Sequence, residues 1–260
     1  KTGKQFALMA GMFVAASIVF SSCSKDTNEG LSEEYIKTNI VGKWKLVRNS
    51  LGDVLTDGRR INTYASNGKM YISEAREREG VFYWDNHRES NYLVKKDTLI
   101  QDFNYASSEA DKLIVTNLQQ EDLTLKFVIP REQGLMTEIS LKRVTADYAK
   151  TILGLWEGVS MTGEPPLEAT NYRIEFKNDG TYNYYEKVGN TWQVIAGHLQ
   201  YILDGDWLAV RYKNEGQTEY TYEGWDIQTC TDAVLNFTAL RERKDGTRYK
   251  STFNWKKVIE

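Results

Sequence analysis

The chain has 260 residues, a formal net charge of −3, 27% charged residues and 41% hydrophobic ones. That balance excludes the basic field needed for nucleic-acid binding and the polar bias of a disordered chain. Its two cysteines, Cys23 and Cys230, exclude a disulfide framework. Sixteen Tyr, nine Phe and seven Trp against only three Pro favour strands over helices, so an all-β fold is expected.

Lys1 and Lys4 precede an uncharged apolar run, Phe6 to Phe20. A membrane-spanning helix needs about 20 such residues, so this shorter run reads as the core of a secretory signal. It ends in Val19-Phe20-Ser21-Ser22-Cys23, which resembles a bacterial lipobox: a bulky apolar residue, two small ones, then Cys. The resemblance implies a signal peptide over residues 1–22 and a diacylglyceryl group on the Cys23 thiol, with a fatty chain such as palmitate on the new amine. An uncleaved helical anchor with an incidental Cys is the competing reading. Each buried CH₂ contributes about 0.8 kcal/mol, so two or three chains anchor effectively permanently. Residues 23–32 then read as a lipid-anchored flexible tether. No Asp follows Cys23, so the familiar inner-membrane retention signal is missing. The Ser24-Lys25-Asp26 start resembles the acidic signal of some surface lipoproteins. The outer membrane is the expected location, on its periplasmic face or at the cell surface.

Beyond the tether the chain repeats itself. Ile40-Val41-Gly42-Lys43-Trp44 recurs 112 residues later as Ile152-Leu153-Gly154-Leu155-Trp156. Each copy follows a short helix-compatible stretch, Glu33–Thr38 and Ala146–Thr151. Each is followed by an aromatic residue and an Asn-Gly or Asp-Gly turn, Tyr64…Asn67-Gly68 and Phe176…Asp179-Gly180, again 112 residues apart. These dipeptides predict tight hairpins with positive φ at both turn positions. Alternating runs follow at 112–118 and 122–129, and at 219–227 and 233–240. Turn signals stand at Asp57-Gly58, Glu79-Gly80, Gly189-Asn190, Asp204-Gly205 and Asp245-Gly246. The halves close alike, on Ser140–Val144 and Asn254–Val258. About eight strands per half suit a small antiparallel barrel. The domain boundaries expected are 33–144 and 145–260, with no Pro/Gly/Ser-rich linker between them. The two barrels should therefore share a fixed interface.

Gly-x-Trp on the first strand after a short helix, twice over, resembles the calycin and lipocalin superfamily. Val41–Leu46 with the later Asn67-Gly68 turn is similar to the lipocalin-like domains of secreted Gram-negative lipoproteins. The resemblance covers residues 36–260. It implies two tandem up-and-down barrels, each preceded by a short helix. It also implies that Trp44 and Trp156, with Gly42 and Gly154, close the barrel ends under a basic residue of the last strand. Arg143 matches that residue in the first half; Lys257 stands there in the second, a departure from the usual Arg.

Reactive chemistry is hard to find. His87 and His198 have no metal-ligand partner at a useful spacing, and no nucleophile elbow or phosphate loop is present. Catalytic residues, metal and cofactor are therefore not expected, and the chain reads as a non-enzyme. Cys230 reads as a small buried residue. The aromatic excess includes Trp207, Trp225, Trp255, and Tyr182, Tyr184, Tyr185, Tyr220 and Tyr222, most of which should fill barrel interiors. Trp84, beside Asp85-Asn86-His87, and Trp192, beside Gly189-Asn190, border loop-like residues and are the sequence candidates for ligand contacts at barrel mouths. The expected function is binding of a small hydrophobic molecule or glycan at the cell envelope. The alternative is a structural or inhibitor-like protein with filled barrels that contacts another envelope protein.

Overall fold

A computed structural model describes residues 31–49, 52–54, 60–102, 111–129, 135–163, 167–213 and 218–259. The signal segment, Cys23, most of the tether and the Asp57-Gly58 turn lie outside the described residues. The fold is all-β, with two eight-position antiparallel barrels in tandem. The first opens with helix α1 (Glu33–Asn39), followed by β1 (Gly42–Asn49), β2 (Gly52–Asp53), β3 (Ile61–Tyr64), β4 (Lys69–Arg78), β5 (Val81–Lys95), β6 (Thr98–Asp102), β7 (Asp111–Leu118), β8 (Asp122–Ile129) and β9 (Leu135–Arg143). Each strand pairs with the next around the ring. β2 and β3 lie successively along the same edge of β1, and β9 closes the ring against its other edge. The second barrel comprises β10 (Gly154–Thr162), β11 (Tyr172–Phe176), β12 (Thr181–Val188), β13 (Thr191–Asp204), β14 (Trp207–Tyr212), β15 (Thr221–Cys230), β16 (Val234–Glu242) and β17 (Arg248–Lys257), closed by β10 on β17.

One end of each barrel is built to the same plan. Trp44 and Trp156 are fully buried, and each indole Nε1 donates to the carbonyl four residues earlier, Ile40 at 2.7 Å and Ile152 at 2.8 Å. The Arg143 guanidinium lies 4.1 Å from the Trp44 ring centroid, and the Lys257 ammonium lies 4.1 Å from that of Trp156. These are cation–π contacts. Gly42 and Gly154 have φ of +137° and +105°, and a Cβ on either would meet the cation, at 2.6 Å from Arg143 and 3.2 Å from Lys257. Glycine is thus required twice over, by backbone conformation and by the approach of the covering side chain. Helix α1 seals this end of the first barrel with the buried side chain of Ile36 and with Ile40 just beyond its last residue. Ser32 caps it by accepting from Tyr35 N–H. Before the second barrel, residues 149–152 form only a turn, and Ile152 N–H bonds Tyr148 O.

The Asn-Gly and Asp-Gly turns stand at equivalent hairpins, β3–β4 and β11–β12, with a different geometry from the one their dipeptides suggest. Only Gly68 and Gly180 have positive φ. Gly68 N–H bonds Ala65 O, and Gly180 N–H bonds Lys177 O, while the Asn67 and Asp179 side chains accept from the amides of Lys69 and Thr181. The side-chain oxygen stabilises the residue before Gly in a right-handed conformation, so the turn is a longer loop ending on a left-handed glycine. Positive φ at both positions occurs instead at Glu79-Gly80, the two-residue turn joining β4 to β5.

The barrels meet wall to wall. Side chains of β1, β3 and β4 that point out of the first barrel are nonetheless buried: Lys45, Ile61 and Ser73. Lys45 Nζ lies 2.8 Å from Asp206 and 3.5 Å from Asp226, and Lys43 bonds Asp204 at 2.5 Å. In return Arg211, 1% exposed, donates to Gly80 O and lies 5.5 Å from the Phe82 ring and 4.4 Å from that of Tyr220. Phe82 also packs on Tyr222. Each barrel thus lends a basic side chain to the other's acidic or carbonyl groups.

Candidate functional site

Register fixes which residues face the interior. In the second barrel Leu235, Phe237, Ala239 and Arg241 on β16 stand opposite Trp255, Phe253, Ser251 and Tyr249 on β17. Glu223 on β15 pairs with Val210, and Tyr172 on β11 with Glu186 on β12. Near Trp156 the inward side chains are almost fully buried: Phe176, Tyr182, Leu208, Leu235 and Trp255 are 0–3% exposed. At the far end Tyr172, Tyr184, Glu186, Tyr212, Glu223, Arg241 and Phe253 all keep partial exposure. Inward side chains that remain in contact with solvent define an open, aromatic-lined end.

An ion pair lies at its centre. Arg241 Nε donates to Glu223 Oε1 at 2.5 Å, and the other Glu223 oxygen accepts from Trp225 Nε1 at 2.8 Å. The Glu223 side chain is 13% exposed and that of Arg241 29%. Burial is the largest single influence and works against the Arg241 charge, but the hydrogen bond and the charge of Glu223, with smaller help from Tyr249 and Tyr212, together outweigh it, so its pKa is raised. Trp225 stacks on Phe237 at 4.6 Å, and Phe237 on Phe253 at 5.0 Å. Tyr172 stacks on Tyr184 at 5.6 Å and donates to Glu186 at 3.3 Å.

Several polar atoms at this end lack protein partners. Among the described residues Trp255 Nε1 is buried without a partner, and the hydroxyls of Tyr182, Tyr184 and Tyr212 bond no protein group but are not sealed from solvent. Burial pushes the pKa of all three tyrosines up, so they stay neutral. Tyr182 feels the charges of Tyr212, Glu223 and Tyr184, and Tyr184 those of Tyr172, Arg241 and Glu186, so these groups converge on one region. In the first barrel the buried Tyr64 hydroxyl does find a partner, accepting from Gln101 at 2.9 Å, whereas Asn62 Oδ1 is buried without one among the described residues.

The two tryptophans singled out by sequence stand elsewhere. β5 runs unbroken through Asp85-Asn86-His87, which the sequence suggested as a loop; a bulge there sets Asn86 and His87 of β5 opposite the single residue Ser73 of β4 and absorbs the irregularity. Trp84 shares a strand face with Phe82, the face turned to Arg211 of the second barrel. Its Nε1 is buried without a partner among the described residues. Trp192 lies on the outer wall of the second barrel, where Arg173 stacks on it at 4.1 Å while also bonding Glu157. Tyr185 faces outward too and donates to Glu175, while Tyr220 and Tyr222 join the inter-barrel contact. Sequence reasoning missed Tyr172, Tyr212, Glu223 and Arg241. The signal for Glu223 was present in the alternation of 219–227, and Arg241 extends, one residue on, the inward face of the run 233–240.

Among the described residues no helix is long and apolar enough to cross a membrane, and no three His, Cys, Asp or Glu side chains gather as a metal site requires. No protein-family model matches the chain, and no curated protein matches it in sequence. Solved structures give weak likenesses. A transferrin-binding protein B double mutant from Haemophilus parasuis is 7% identical, with a TM-score of 0.25, over 77% of this chain and 54% of that one. The present chain thus spans about half the length of that protein. A protein of unknown function from Nostoc punctiforme is 8% identical, with a TM-score of 0.23, over 88% of this chain and 100% of that one. Transferrin-binding protein B from Neisseria meningitidis gives 6% and 0.22, over 77% of this chain and 65% of that one. Scores this low carry no inference about function.

Proposed function

We propose that the chain is a non-enzymatic cell-envelope lipoprotein, anchored to the outer membrane through Cys23, whose two lipocalin-like barrels divide their roles. The first is a filled scaffold, and the second binds a small molecule at its far end. The observation that carries this reading is a buried, unpartnered indole N–H, that of Trp255, beside three tyrosine hydroxyls without protein partners and a partly buried ion pair. Buried polar groups are satisfied as a rule, and a concave aromatic surface with a few convergent polar groups is the usual form of a ligand site. Native mass spectrometry of the full chain, extracted from membranes in mild detergent, tests it. A discrete added mass is expected, lost in Arg241→Met. An unliganded spectrum from wild type and variant alike counts against it. Anchoring is tested separately: Cys23→Ala should abolish incorporation of radiolabelled palmitate.

One observation favours a protein-contact role in addition. Val188, Val194 and Ile195, each about half exposed, lie on the β12–β13 hairpin that carries Trp192, an apolar surface suited to another envelope protein.

A further inference from the structure

We propose that the ligand at the far end of the second barrel is a carbohydrate, held as a single sugar ring or the terminal ring of a glycan. This rests on the small-ligand reading above and narrows it. Three features select the class. First, the unpartnered groups include both kinds of hydrogen-bonding function. The Tyr182, Tyr184 and Tyr212 hydroxyls each donate and accept and Trp255 Nε1 donates, while Glu186, already accepting from Tyr172, keeps further acceptor capacity. A fatty acyl chain would bury all of these without replacing their lost water contacts. A polyhydroxylated ring offers donors and acceptors in every direction.

Second, charge is already balanced. Glu223 neutralises Arg241 through a 2.5 Å bond and is itself held by Trp225, so the pair presents a fixed dipole rather than an open cation. Such a site has no excess positive charge to recognise a carboxylate or phosphate, and Glu186 at the rim would oppose one. The rest of the guanidinium is engaged too, Nη1 donating to Ser251 Oγ at 3.5 Å, which suits the pair to a neutral, oxygen-rich ligand.

Third, aromatic faces are available. Tyr172 and Tyr184 stack in a pair that is half-buried, and Phe253 lies beneath Arg241 at 5.4 Å. The C–H face of a sugar ring packs on such surfaces while its hydroxyls reach the polar edge. Tyr182 and Trp255 are 3% and 2% exposed, so their polar atoms lie at the floor and read a group that enters the barrel rather than one resting on its surface.

The test is a titration of the purified full chain, followed by tryptophan fluorescence and calorimetry. The probes are the methyl glycosides of glucose, galactose, mannose and N-acetylglucosamine, with oleate as an apolar probe. The variants Tyr184→Phe and Tyr212→Phe each remove one hydroxyl and keep the ring; Tyr185→Phe does the same on the outer wall. At least one glycoside should bind saturably, roughly tenfold more weakly in each of the first two variants and unchanged in Tyr185→Phe. Saturable oleate binding that ignores the two hydroxyls, with no glycoside bound, overturns the carbohydrate assignment and leaves the small-ligand reading intact. If neither probe binds and the variants alter only the melting temperature, both readings fail.

Discussion

The two barrels share a frame and differ in their filling. At the Trp end they match position for position, with Arg143 replaced by Lys257 and Tyr64 by Phe176. Tyr92 and Tyr201 both donate a hydroxyl to the turn carbonyl, Ala65 and Lys177, and each meets an aromatic ring edge-on at 5.1 Å, Tyr64 and Phe176. Above that level the register aligns Leu141 with Trp255, Ile139 with Phe253, Leu125 with Phe237, Met70 with Tyr182 and Ile72 with Tyr184. Leu46, opposite Leu141 in the first barrel, becomes Gly158, opposite Trp255, in the second. Volume is redistributed around the β10–β17 pair: the missing side chain at Gly158 admits the Ala169 turn against β10, while β17 carries the larger side chain into the ring. Polar groups move in the opposite sense: Asn62, Ser90 and Gln101 are buried in the first barrel where Ile174, Leu199 and Val210 stand in the second. A shared closure thus leaves the interior free to be respecified, once as a closely packed core holding a few buried polar side chains and once as a surface that looks outward.

Replacing the shared Trp breaks the comparison most severely. Trp44→Ala and Trp156→Ala each remove a fully buried aromatic and should each cost about 3–5 kcal/mol. Differential scanning calorimetry should show the two losses to be similar. A loss confined to one of them would mean that the matching ends do not perform matching work.

The inter-barrel wall comes next. Lys45→Met leaves Asp206 and Asp226 facing each other at a buried junction, and losing one partner of a buried charge cluster costs about 3 kcal/mol. The wild type should melt in one coupled transition and the variant in two. A single unchanged transition would show that the barrels are independent of the charge exchange.

Much of the frame was legible in the sequence because local rules govern it. Gly42-x-Trp44 and Gly154-x-Trp156, the Asn-Gly and Asp-Gly hairpins, and the runs that became β7, β8, β15 and β16 each follow from backbone geometry and period-two alternation. The inter-barrel wall was not legible residue by residue. Lys45, Ser73 and Arg211 occupy outward positions that alternation assigns to solvent, and only the packing of a second barrel buries them. The site escaped for a related reason. Glu223 and Arg241 read as solvent-facing charges because a strand pattern does not say that two inward charges 18 residues apart will neutralise each other. Trp84 and Trp192 drew attention through polar neighbours, which in this fold lie within or beside a long hairpin rather than at a mouth.

The volume redistribution predicts a smaller effect. A Cβ on Gly158 would sit 2.1 Å from the Ala169 carbonyl oxygen, part of the 3-10 turn at Ala169–Asn171 that packs on β10. Gly158→Ala should therefore cost about 1–3 kcal/mol by overpacking, measured by urea unfolding. A neutral result would mean that the turn can move and that Gly158 is not what admits it against β10.

The smallest effect separates the two cations. Arg143 donates to three carbonyls, Gln120 at 2.7 Å, Val41 at 2.8 Å and Asn39, whereas Lys257 donates only to Leu153. Arg143→Lys should leave two carbonyls without that donor and cost about 1–2 kcal/mol, while Lys257→Arg should change stability by no more than about 0.5 kcal/mol near neutral pH. The pH dependence distinguishes them further. Burial holds the Lys257 ammonium below its ordinary value of 10.5, against smaller opposing effects of Cys230 and Asp232. The unfolded chain therefore binds that proton more tightly than the folded one. In the window just below the ordinary value, where the folded group has released its proton and the unfolded group has not, stability must rise with pH. Arginine does not titrate there, so Lys257→Arg should lose this contribution. The difference in melting temperature between wild type and variant, measured from pH 8 to about pH 10, cancels the other lysines and tyrosines. It should move in favour of the wild type as pH rises. A flat difference would place Lys257 in ordinary solvent and remove the basis for treating it as the second barrel's counterpart of Arg143.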